Sequence, residues 1–344
     1  MPDETIQWPA LLTDLVAGVD LDRARAGAAL EAVMSGEVNE VVVSSFLTAM
    51  AAKGATPDEV AGLVEAMVAA ATPVPVVGPV LDTCGTGGDG AGTFNISTTS
   101  ALVCAAAGAK VAKHGNRAAS SKAGSADLLE EWGVVIDLPA EAAAQCLEDV
   151  GITFLFARTY HPAMRHVAPV RGSLGIRTVF NVLGPLSNPA GAQHQVVGVS
   201  DAAMAPIMAE ALARLGRRAL LFRGDDGLDE LTTTTTSTVW MVRDGQVEES
   251  KLDPTELGVE RVTVDQLVGG DVARNREISD AVLRGEPGPH ADIVALNAAA
   301  GLWTHGLADD LASGLERARE VLASGAGAEV LERWVARSQE LAAS

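Results

Sequence analysis

Residues 82–130 read DTCGTGGDGAGTFNISTTSALVCAAAGAKVAKHGNRAASSKAGSADLLE, and they contain two polar loops that each follow a short apolar strand. Both loops are rich in glycine and hydroxyl side chains, and each precedes a predicted helix. Glycine lets the backbone approach an anion closely, and the first turn of a helix offers unpaired N–H groups and a favourable dipole. The stretch therefore predicts two anion-binding loops in an α/β protein.

Strand and helix patterns alternate from residue 80 onward, which is typical of a mostly parallel sheet flanked by helices. Strands are predicted near residues 80–84, 110–113, 152–157, 195–199, 219–223 and 238–242, and the threonines at 232–236 are expected to begin a strand. In open sheets of this kind, ligands collect beyond the carboxyl ends of the strands. Both polar loops are therefore expected to face the same crevice.

The first 72 residues carry helical patterns only. Residues 56–59 read TPDE, a capping box with proline at the first helical position, and Gly36 follows the last apolar residues of an earlier helix. The X-Pro steps between residues 72 and 79 keep the backbone extended, so a domain boundary is predicted there. We predict an α/β fold with a small α-helical domain at residues 1–72 and a larger domain with a mostly parallel central sheet flanked by helices.

The chain has 344 residues, of which 48% are hydrophobic, and its formal net charge is −20. The negative charge argues against a nucleic acid or an anionic membrane as the main partner. The N-terminal residues MPDETIQWPA are acidic where a secretory signal is basic, and no apolar run approaches the roughly 18 residues of a membrane span. A cytoplasmic protein is therefore expected. Cys84, Cys104 and Cys146 lack metal-binding spacing and are expected to be reduced thiols.

The first loop formally matches the GxGxxG dinucleotide fingerprint at residues 85–90, but the acidic residue that should follow about 20 positions later is missing. A nicotinamide-dependent oxidoreductase would explain these glycines and leave the second loop unexplained. The second loop brings together three cationic side chains, Lys113, Arg117 and Lys122, with three serines. This combination indicates a polyphosphate ligand.

Residues 224–230 read GDDGLDE and place acidic side chains on a loop after a predicted strand. Taken alone, such a run is more often a solvated acidic turn than a metal site. Mg²⁺, however, is usually held by one or two carboxylates together with substrate phosphates, and two phosphate-binding loops are predicted in the same chain. Magnesium is therefore the expected ion. Calcium is not, because the run lacks the residue order of an EF-hand loop.

Together with residues 161–189 (HPAMRHVAPVRGSLGIRTVFNVLGPLSNP), 224–235 (GDDGLDELTTTT) and 292–303 (DIVALNAAAGLW), the two loops closely resemble the anthranilate phosphoribosyltransferase family. The resemblance implies Mg²⁺-dependent transfer of the 5-phosphoribosyl group from phosphoribosyl pyrophosphate to the amine of anthranilate. It also implies a homodimer formed through the helical domain, which residues 161–190 would join. The larger domain would then consist of residues 73–160 and 191–344.

The resemblance also implies the residues of the site. The phosphoribosyl pyrophosphate contacts that the resemblance implies are Gly85, Gly88, Asp89, Thr93, Asn95, Ile96, Ser97, Thr98, Lys113, His114, Gly115, Asn116, Arg117, Ala118, Ala119, Ser120, Ser121 and Ser125. The implied anthranilate contacts are Gly85, Asn116 and Arg171, and the implied magnesium ligands are Ser97, Asp229 and Glu230. Met164 stands where some relatives have an aromatic residue, which alters the expected shape of the outer anthranilate channel.

No Ser-His-Asp or Cys-His pattern is evident, so no covalent intermediate is expected. Lys113, backbone N–H groups and Mg²⁺ are instead expected to stabilise the charge of the departing pyrophosphate. His114 has two open interpretations, a substrate contact or a scaffold for its loop. Two other functions also stay open at this point: a pyrimidine nucleoside phosphorylase, and a nucleic-acid-binding relative of the same fold without catalytic activity.

Overall fold

The computed structural model describes residues 6–118 and 122–344. Its helices are α1 (Trp8–Val16), α2 (Arg23–Ser35), α3 (Glu40–Lys53), α4 (Pro57–Ala69), α5 (Ile96–Ala106), α6 (Ser125–Trp132), α7 (Ala140–Val150), α8 (Ala157–Tyr160), α9 (Ala168–Leu174), α10 (Phe180–Leu186), α11 (Met204–Arg214), α12 (Val272–Leu283), α13 (Pro289–His305), α14 (Leu311–Ser324) and α15 (Ala326–Ala342). Its strands are β1 (Leu81–Gly85), β2 (Val111–Gly115), β3 (Ile152–Phe156), β4 (His194–Gly198), β5 (Arg218–Gly224), β6 (Ser237–Arg243) and β7 (Gln246–Leu252). Short 3₁₀ helices cover Pro162–His166, Pro254–Leu257 and Val264–Gln266. Within the described ranges, no helix combines the length and the apolar character that crossing a membrane requires.

The strands form one seven-stranded sheet in the order β3-β2-β1-β4-β5-β6-β7. Neighbours from β3 to β5 run parallel, whereas β6 pairs antiparallel with both β5 and β7. The predicted α/β fold with a mostly parallel sheet is therefore confirmed. The chain passes from β1 outward through β2 and β3, and then returns to β4 on the other side of β1. Such a reversal opens a crevice beyond the carboxyl ends of β1 and β4.

Six strands lie within two residues of their predicted positions, but two features of the sheet differ from the prediction. The edge strand β7 was not predicted, because its sequence QVEESKL is mostly polar and exposed and shows no clear alternation. The prediction that the threonines at 232–236 begin a strand is wrong. They form a loop before β6, which starts only at Ser237.

The helices α1 to α4 form a bundle, and a later segment of the chain packs against them. The 3₁₀ helix Pro162–His166 contacts α2, α9 contacts α3, and α10 contacts α4. The apolar interior of this bundle is continuous with one face of β4, β5 and β6 and with α11. A second apolar core lies on the other side, among β1, β2, β3 and the helices α5, α7 and α13. The division into domains at residue 72 stays a prediction.

The capping box at the start of α4 is confirmed, and its glutamate also contacts two other parts of the bundle. Glu59 Oε2 accepts the Thr56 N–H at 2.8 Å, and Thr56 Oγ1 accepts the Glu59 N–H at 3.3 Å. Glu59 is fully buried, and it also accepts the Leu21 N–H at 2.8 Å and a bond from Lys53 Nζ at 2.9 Å. One carboxylate thus joins the start of α2, the end of α3 and the start of α4.

Replacement of Glu59 by alanine should lower the free energy of unfolding by about 3 kcal/mol, because it leaves the Leu21 and Thr56 N–H groups without an acceptor and removes one of the two carboxylates paired with the buried Lys53 ammonium. The matched control is Glu65→Ala, which removes an exposed partner of Arg23 and should cost less than about 1 kcal/mol. Urea denaturation followed by circular dichroism measures both values. Equal losses for the two variants would contradict the role assigned to Glu59.

Candidate active site

A crevice of about 570 Å³ lies beyond the carboxyl ends of β1 and β2. Most of the predicted site residues line it: Gly85, Gly88, Asp89, Thr93, Asn95, Ile96, Ser97, Thr98, Lys113, His114, Gly115, Asn116, Arg117, Ala118, Ser125, Asp229 and Glu230. The predicted residues Ala119, Ser120 and Ser121 lie outside the described residues. The structure therefore brings both polar loops and the acidic loop to one place.

The first loop owes its shape to glycines with left-handed backbone angles. Gly87 and Gly88 have φ angles of 69° and 80°, a region that side chains with a Cβ rarely adopt. The loop ends at α5, whose first turn lines the crevice. Asn95 does not cap this helix with its side chain. It instead donates to Ala123 O at 3.2 Å and accepts a bond from Asn275 at 2.9 Å, so it ties the first loop to the second.

Asp127, in the first turn of α6, closes the second loop. Its Oδ2 accepts the Ala118 N–H at 3.0 Å and the Gly124 N–H at 2.8 Å. A Cβ on Gly124 would lie 2.3 Å from the nitrogen of Ala118, so this closure requires glycine. The Arg117 guanidinium bonds to Glu130 and Asp127, and its charge is thereby compensated within the protein.

Lys113 lies beneath the two loops and is almost fully buried. Its ammonium donates to Thr83 O and lies 3.4 Å from Ser97 Oγ, and burial lowers its pKa.

The nearby Asp82 is also buried, which raises its pKa to about 6. Asp82 accepts the His114 N–H at 3.0 Å and a bond from Asn188 at 2.8 Å. Sequence reasoning missed Asp82 and Asn188, since neither lies within a polar loop.

His114 is buried and held by the main chain. Its Nδ1 lies 3.1 Å from Gly184 O, and burial lowers its pKa to about 3. The imidazole is therefore neutral near pH 7, and the bond to Gly184 favours the scaffold interpretation.

Cys84 also lines the crevice, and burial raises the pKa of its thiol well above the usual range. Cys84 is half-buried, and a thiol that stays protonated is a poor nucleophile.

Three carboxylates, those of Asp89, Asp229 and Glu230, line the crevice close enough to influence one another. Asp229 Oδ2 accepts the Gly87 N–H at 2.7 Å, and burial, followed by repulsion from Asp89, raises the Asp229 pKa to about 7. Burial and repulsion from Asp229 raise the pKa of Glu230. Asp89 Oδ2 is buried and has no hydrogen-bond partner. Two neighbouring carboxylates with raised pKa values, together with the unpaired Asp89 oxygen, suit a divalent cation that takes its remaining ligands from a substrate.

The acidic loop is fixed by neighbours that the sequence pattern did not reveal. Asn297 on α13 donates to Leu231 O and accepts the Leu231 N–H, both at 2.9 Å. The threonines that were expected to begin a strand instead bond to the preceding aspartates: Thr232 Oγ1 donates to Asp226 at 2.7 Å, and Thr234 also bonds to Asp226. These bonds explain why the threonine run forms a loop.

Paired glycines allow the acidic loop to lie against the strand ends. Gly85 of β1 is in register with Gly198 of β4. A Cβ on Gly85 would lie 2.3 Å from Asp229 Oδ2, and a Cβ on Gly198 would lie 1.6 Å from Asp229 O. Any side chain at either position would therefore displace Asp229.

The predicted anthranilate contact Arg171 does not line the crevice. It lies on α9, mostly buried, with its guanidinium carbon 5.3 Å from the centre of the Phe180 ring. Its role in the site stays a prediction. Two residues that were not predicted, Arg177 and Asn181, do line the crevice from the segment around α10. They lie inside the resembling stretch 161–189, but nothing in the spacing marks them as site residues.

Replacement of Gly198 by alanine should lower the free energy of unfolding by at least about 2 kcal/mol, because the new methyl group overlaps the backbone of Asp229. The control is Gly172→Ala in α9, where no atom lies within 4 Å of the added Cβ and the backbone is helical. The control should change stability by less than about 1 kcal/mol, in the stabilising direction. Chemical denaturation curves compare the two, and a Gly198→Ala protein as stable as the control would refute the close approach.

Comparisons with known proteins agree with this architecture. Residues 9–71 match the helical bundle domain of a glycosyl transferase family, and residues 77–328 match the a/b domain of the same family. The anthranilate phosphoribosyltransferases of Arthrobacter sp. (strain FB24) and Nocardioides sp. (strain ATCC BAA-499 / JS614) are each 52% identical to this chain, over 96% of its length and 95% and 98% of theirs.

Two solved structures are similar along nearly the whole chain. Anthranilate phosphoribosyltransferase from Thermus thermophilus is 47% identical with a TM-score of 0.91, covering 95% of this chain and 99% of that one. The enzyme from Saccharomyces cerevisiae in complex with PRPP and Mg is 28% identical with a TM-score of 0.88, covering 98% of this chain and 99% of that one. The chain therefore belongs to the glycosyl transferase family and, within it, to the anthranilate phosphoribosyltransferases.

Proposed function

We propose that the crevice is the active site in which this chain transfers the 5-phosphoribosyl group from phosphoribosyl pyrophosphate to the amine of anthranilate, with release of pyrophosphate. The observation that carries the proposal is the meeting of two glycine-rich loops with Asp229 and Glu230 in one crevice. Relatives at about half identity over almost the full length share the name of this activity. Nothing in the crevice favours the nucleoside phosphorylase or the nucleic-acid-binding alternative over it.

The donor would lie along both loops. The N–H groups of the glycine loop and the first turn of α5 suit the diphosphate, since both present partial positive charge to an anion. Lys113 adds a full charge from below, and its burial keeps it in place. Departure of pyrophosphate would be assisted by these fixed charges, which need no rearrangement as negative charge develops. A protein nucleophile has no place in this scheme.

Magnesium would be held by Asp229 and Glu230 with help from Ser97 and the donor phosphates. Among the residues that the structure describes, no three His, Cys, Asp or Glu side chains are grouped to hold a metal ion by themselves. Two carboxylates completed by substrate oxygens are the usual arrangement for Mg²⁺. Its chemical contribution, when bound, would be neutralisation of charge on the leaving diphosphate. The Asp229 carboxylate also holds the acidic loop against Gly87, whose N–H it accepts.

The acceptor would be oriented by Asn116 and Arg171. Asn116 lies in the crevice, whereas Arg171 must leave its contact with Phe180 to reach a ligand there. Burial already lowers the pKa of Arg171. A carboxylate that approached this guanidinium would therefore form a strong, two-pronged charged hydrogen bond in partly dry surroundings. Holding the amine behind C1 of the ribose turns an encounter between two molecules into a local reaction.

We also propose a homodimer formed through the helical bundle. Val16 on α1 and Val41 on α3 are 80% and 72% exposed, although most large apolar side chains of the bundle are buried. Both side chains lie on helices that pack against each other, so both are available to a second copy of the chain. A second copy of the chain is the partner that the family resemblance implies. The cytoplasmic location expected from the sequence stays a prediction.

The activity is tested by mixing protein, Mg²⁺, phosphoribosyl pyrophosphate and anthranilate and following the loss of anthranilate fluorescence. The wild-type protein should consume anthranilate only when donor and Mg²⁺ are present. The double variant Asp229→Asn, Glu230→Gln should lower turnover at least about 100-fold, because it removes the charge that holds the metal. Asp309→Asn, an exposed acid outside the crevice, should leave turnover unchanged. An undiminished response of the double variant to Mg²⁺ would rule out these two residues as ligands.

The dimer is tested by analytical ultracentrifugation. The wild-type protein should sediment with twice the chain mass, and the double variant Val16→Asp, Val41→Asp should sediment as a monomer, because charges would then be buried at the interface. Val77→Asp is the control, since Val77 is 74% exposed but lies beyond the bundle helices. Monomeric wild-type protein, or a double variant that stays dimeric, would contradict the proposal.

A further inference from the structure

We infer that Arg177 binds the donor diphosphate from the wall of the crevice that faces the glycine loop. The inference rests on the proposed function, which places phosphoribosyl pyrophosphate in this crevice. Arg177 lies between α9 and α10, on the segment that packs against the helical bundle. It is thus carried by a different part of the fold from the two loops on the sheet.

The guanidinium of Arg177 lies beside the glycine loop. A Cβ built on Gly88 would lie 3.5 Å from Arg177 Nη1. Arg177 Nη2 lies 3.5 Å from Ser200 Oγ, and that hydroxyl donates to Gly87 O at 2.7 Å. The side chain therefore ends beside the part of the loop that offers N–H groups to an anion.

The charge of Arg177 is available to a ligand. No Asp or Glu oxygen among the described residues lies within the 4.0 Å that defines an ion pair with it. The other crevice cations have acidic neighbours: Lys113 is buried near Asp82 and Glu230, and Arg117 is paired with Glu130. Among the described side chains that line the crevice, Arg177 is the exposed cation without an acidic partner.

The surroundings favour the diphosphate over the carboxylate of anthranilate. Arg177 lies at the end of the crevice where Gly87 contacts Asp229, and Asp89 belongs to the same loop. Their negative charge would repel an approaching polyphosphate, so a cation at this end removes a barrier to binding. A planar guanidinium can hold two phosphate oxygens at once. Anthranilate carries one carboxylate, which Asn116 and Arg171 are proposed to hold.

The backbone that carries Arg177 is anchored independently of its side chain. Asn181 Oδ1 accepts the Thr178 N–H at 2.9 Å, and both Thr178 and Phe180 are buried. Because the Arg177 side chain is exposed, its replacement by glutamine removes the charge without opening a cavity. Loss of donor binding in this variant would thus report the lost contact and not an unfolded segment.

Two measurements test the inference on Arg177→Gln, Arg177→Lys and the control Arg284→Gln, whose side chain is 59% exposed at the end of α12. Steady-state kinetics give the KM of each substrate. Calorimetric titration with magnesium pyrophosphate gives the affinity for the diphosphate without any turnover. Arg177→Gln should raise the KM for phosphoribosyl pyrophosphate and weaken pyrophosphate binding, each about tenfold or more, as expected for loss of a charged hydrogen bond.

In the same variant, the KM for anthranilate should stay within about twofold of the wild-type value, as a residue that contacts only the donor requires. Arg177→Lys should recover part of the loss, and the thermal unfolding midpoint should match that of Arg284→Gln. Unchanged pyrophosphate affinity in Arg177→Gln would overturn the inference, as would a rise confined to the KM for anthranilate. Wild-type protein that binds pyrophosphate through Arg177 but does not consume anthranilate would refute the proposed function and leave the inference standing.

Discussion

The site depends on one close approach, that of the Asp229 backbone to the ends of β1 and β4. The two strands are neighbours at the point where the chain reverses its direction across the sheet, and each ends in a glycine. Only hydrogen atoms at Gly85 and Gly198 leave room for the acidic loop. The loop can then bond to Gly87 and form one wall of the crevice. The reversal of strand order at β1 and β4 can hold a binding site because neither Gly85 nor Gly198 carries a side chain that would keep the acidic loop away.

Electrostatics in the crevice oppose folding and favour a ligand. Burial raises the pKa of both Asp229 and Glu230, with further repulsion from Asp89 at Asp229 and from Asp229 at Glu230. This arrangement costs stability in the protein alone, and it is offset by rigid supports such as the two bonds between Asn297 and Leu231. A divalent cation and a polyphosphate together would relieve the repulsion. The acidic character of the whole chain therefore does not prevent it from binding an anionic substrate.

Much of this could be predicted from the sequence, for reasons that differ between elements. The five parallel strands and β6 are short apolar runs bounded by glycine, proline or polar residues, so these six strands were predicted. The capping box at Thr56 was predictable from the four residues 56–59. The loops were predictable because glycines and cations concentrate in them. The edge strand β7 was not predictable, because its polar residues face solvent on both sides of the sheet.

Contacts between distant parts of the chain could not be predicted in this way. Gly198 and Asn297 act on an acidic loop that is far from both of them in sequence. Arg177 reaches the glycine loop only because the segment around α10 returns to the bundle. Each of these residues has an ordinary local sequence, and its role appears only in three dimensions. Conversely, Arg171 matched the family pattern but does not reach the crevice in this structure.

The apolar interior that the helical bundle shares with β4, β5 and β6 has a consequence for how the protein melts. Removal of the bundle would expose one face of three central strands to water, and a bundle on its own would lack part of its core. Neither part can therefore keep its structure when the other is lost. They should form one cooperative unit, so that heating produces a single calorimetric transition in spite of two recognisable architectures.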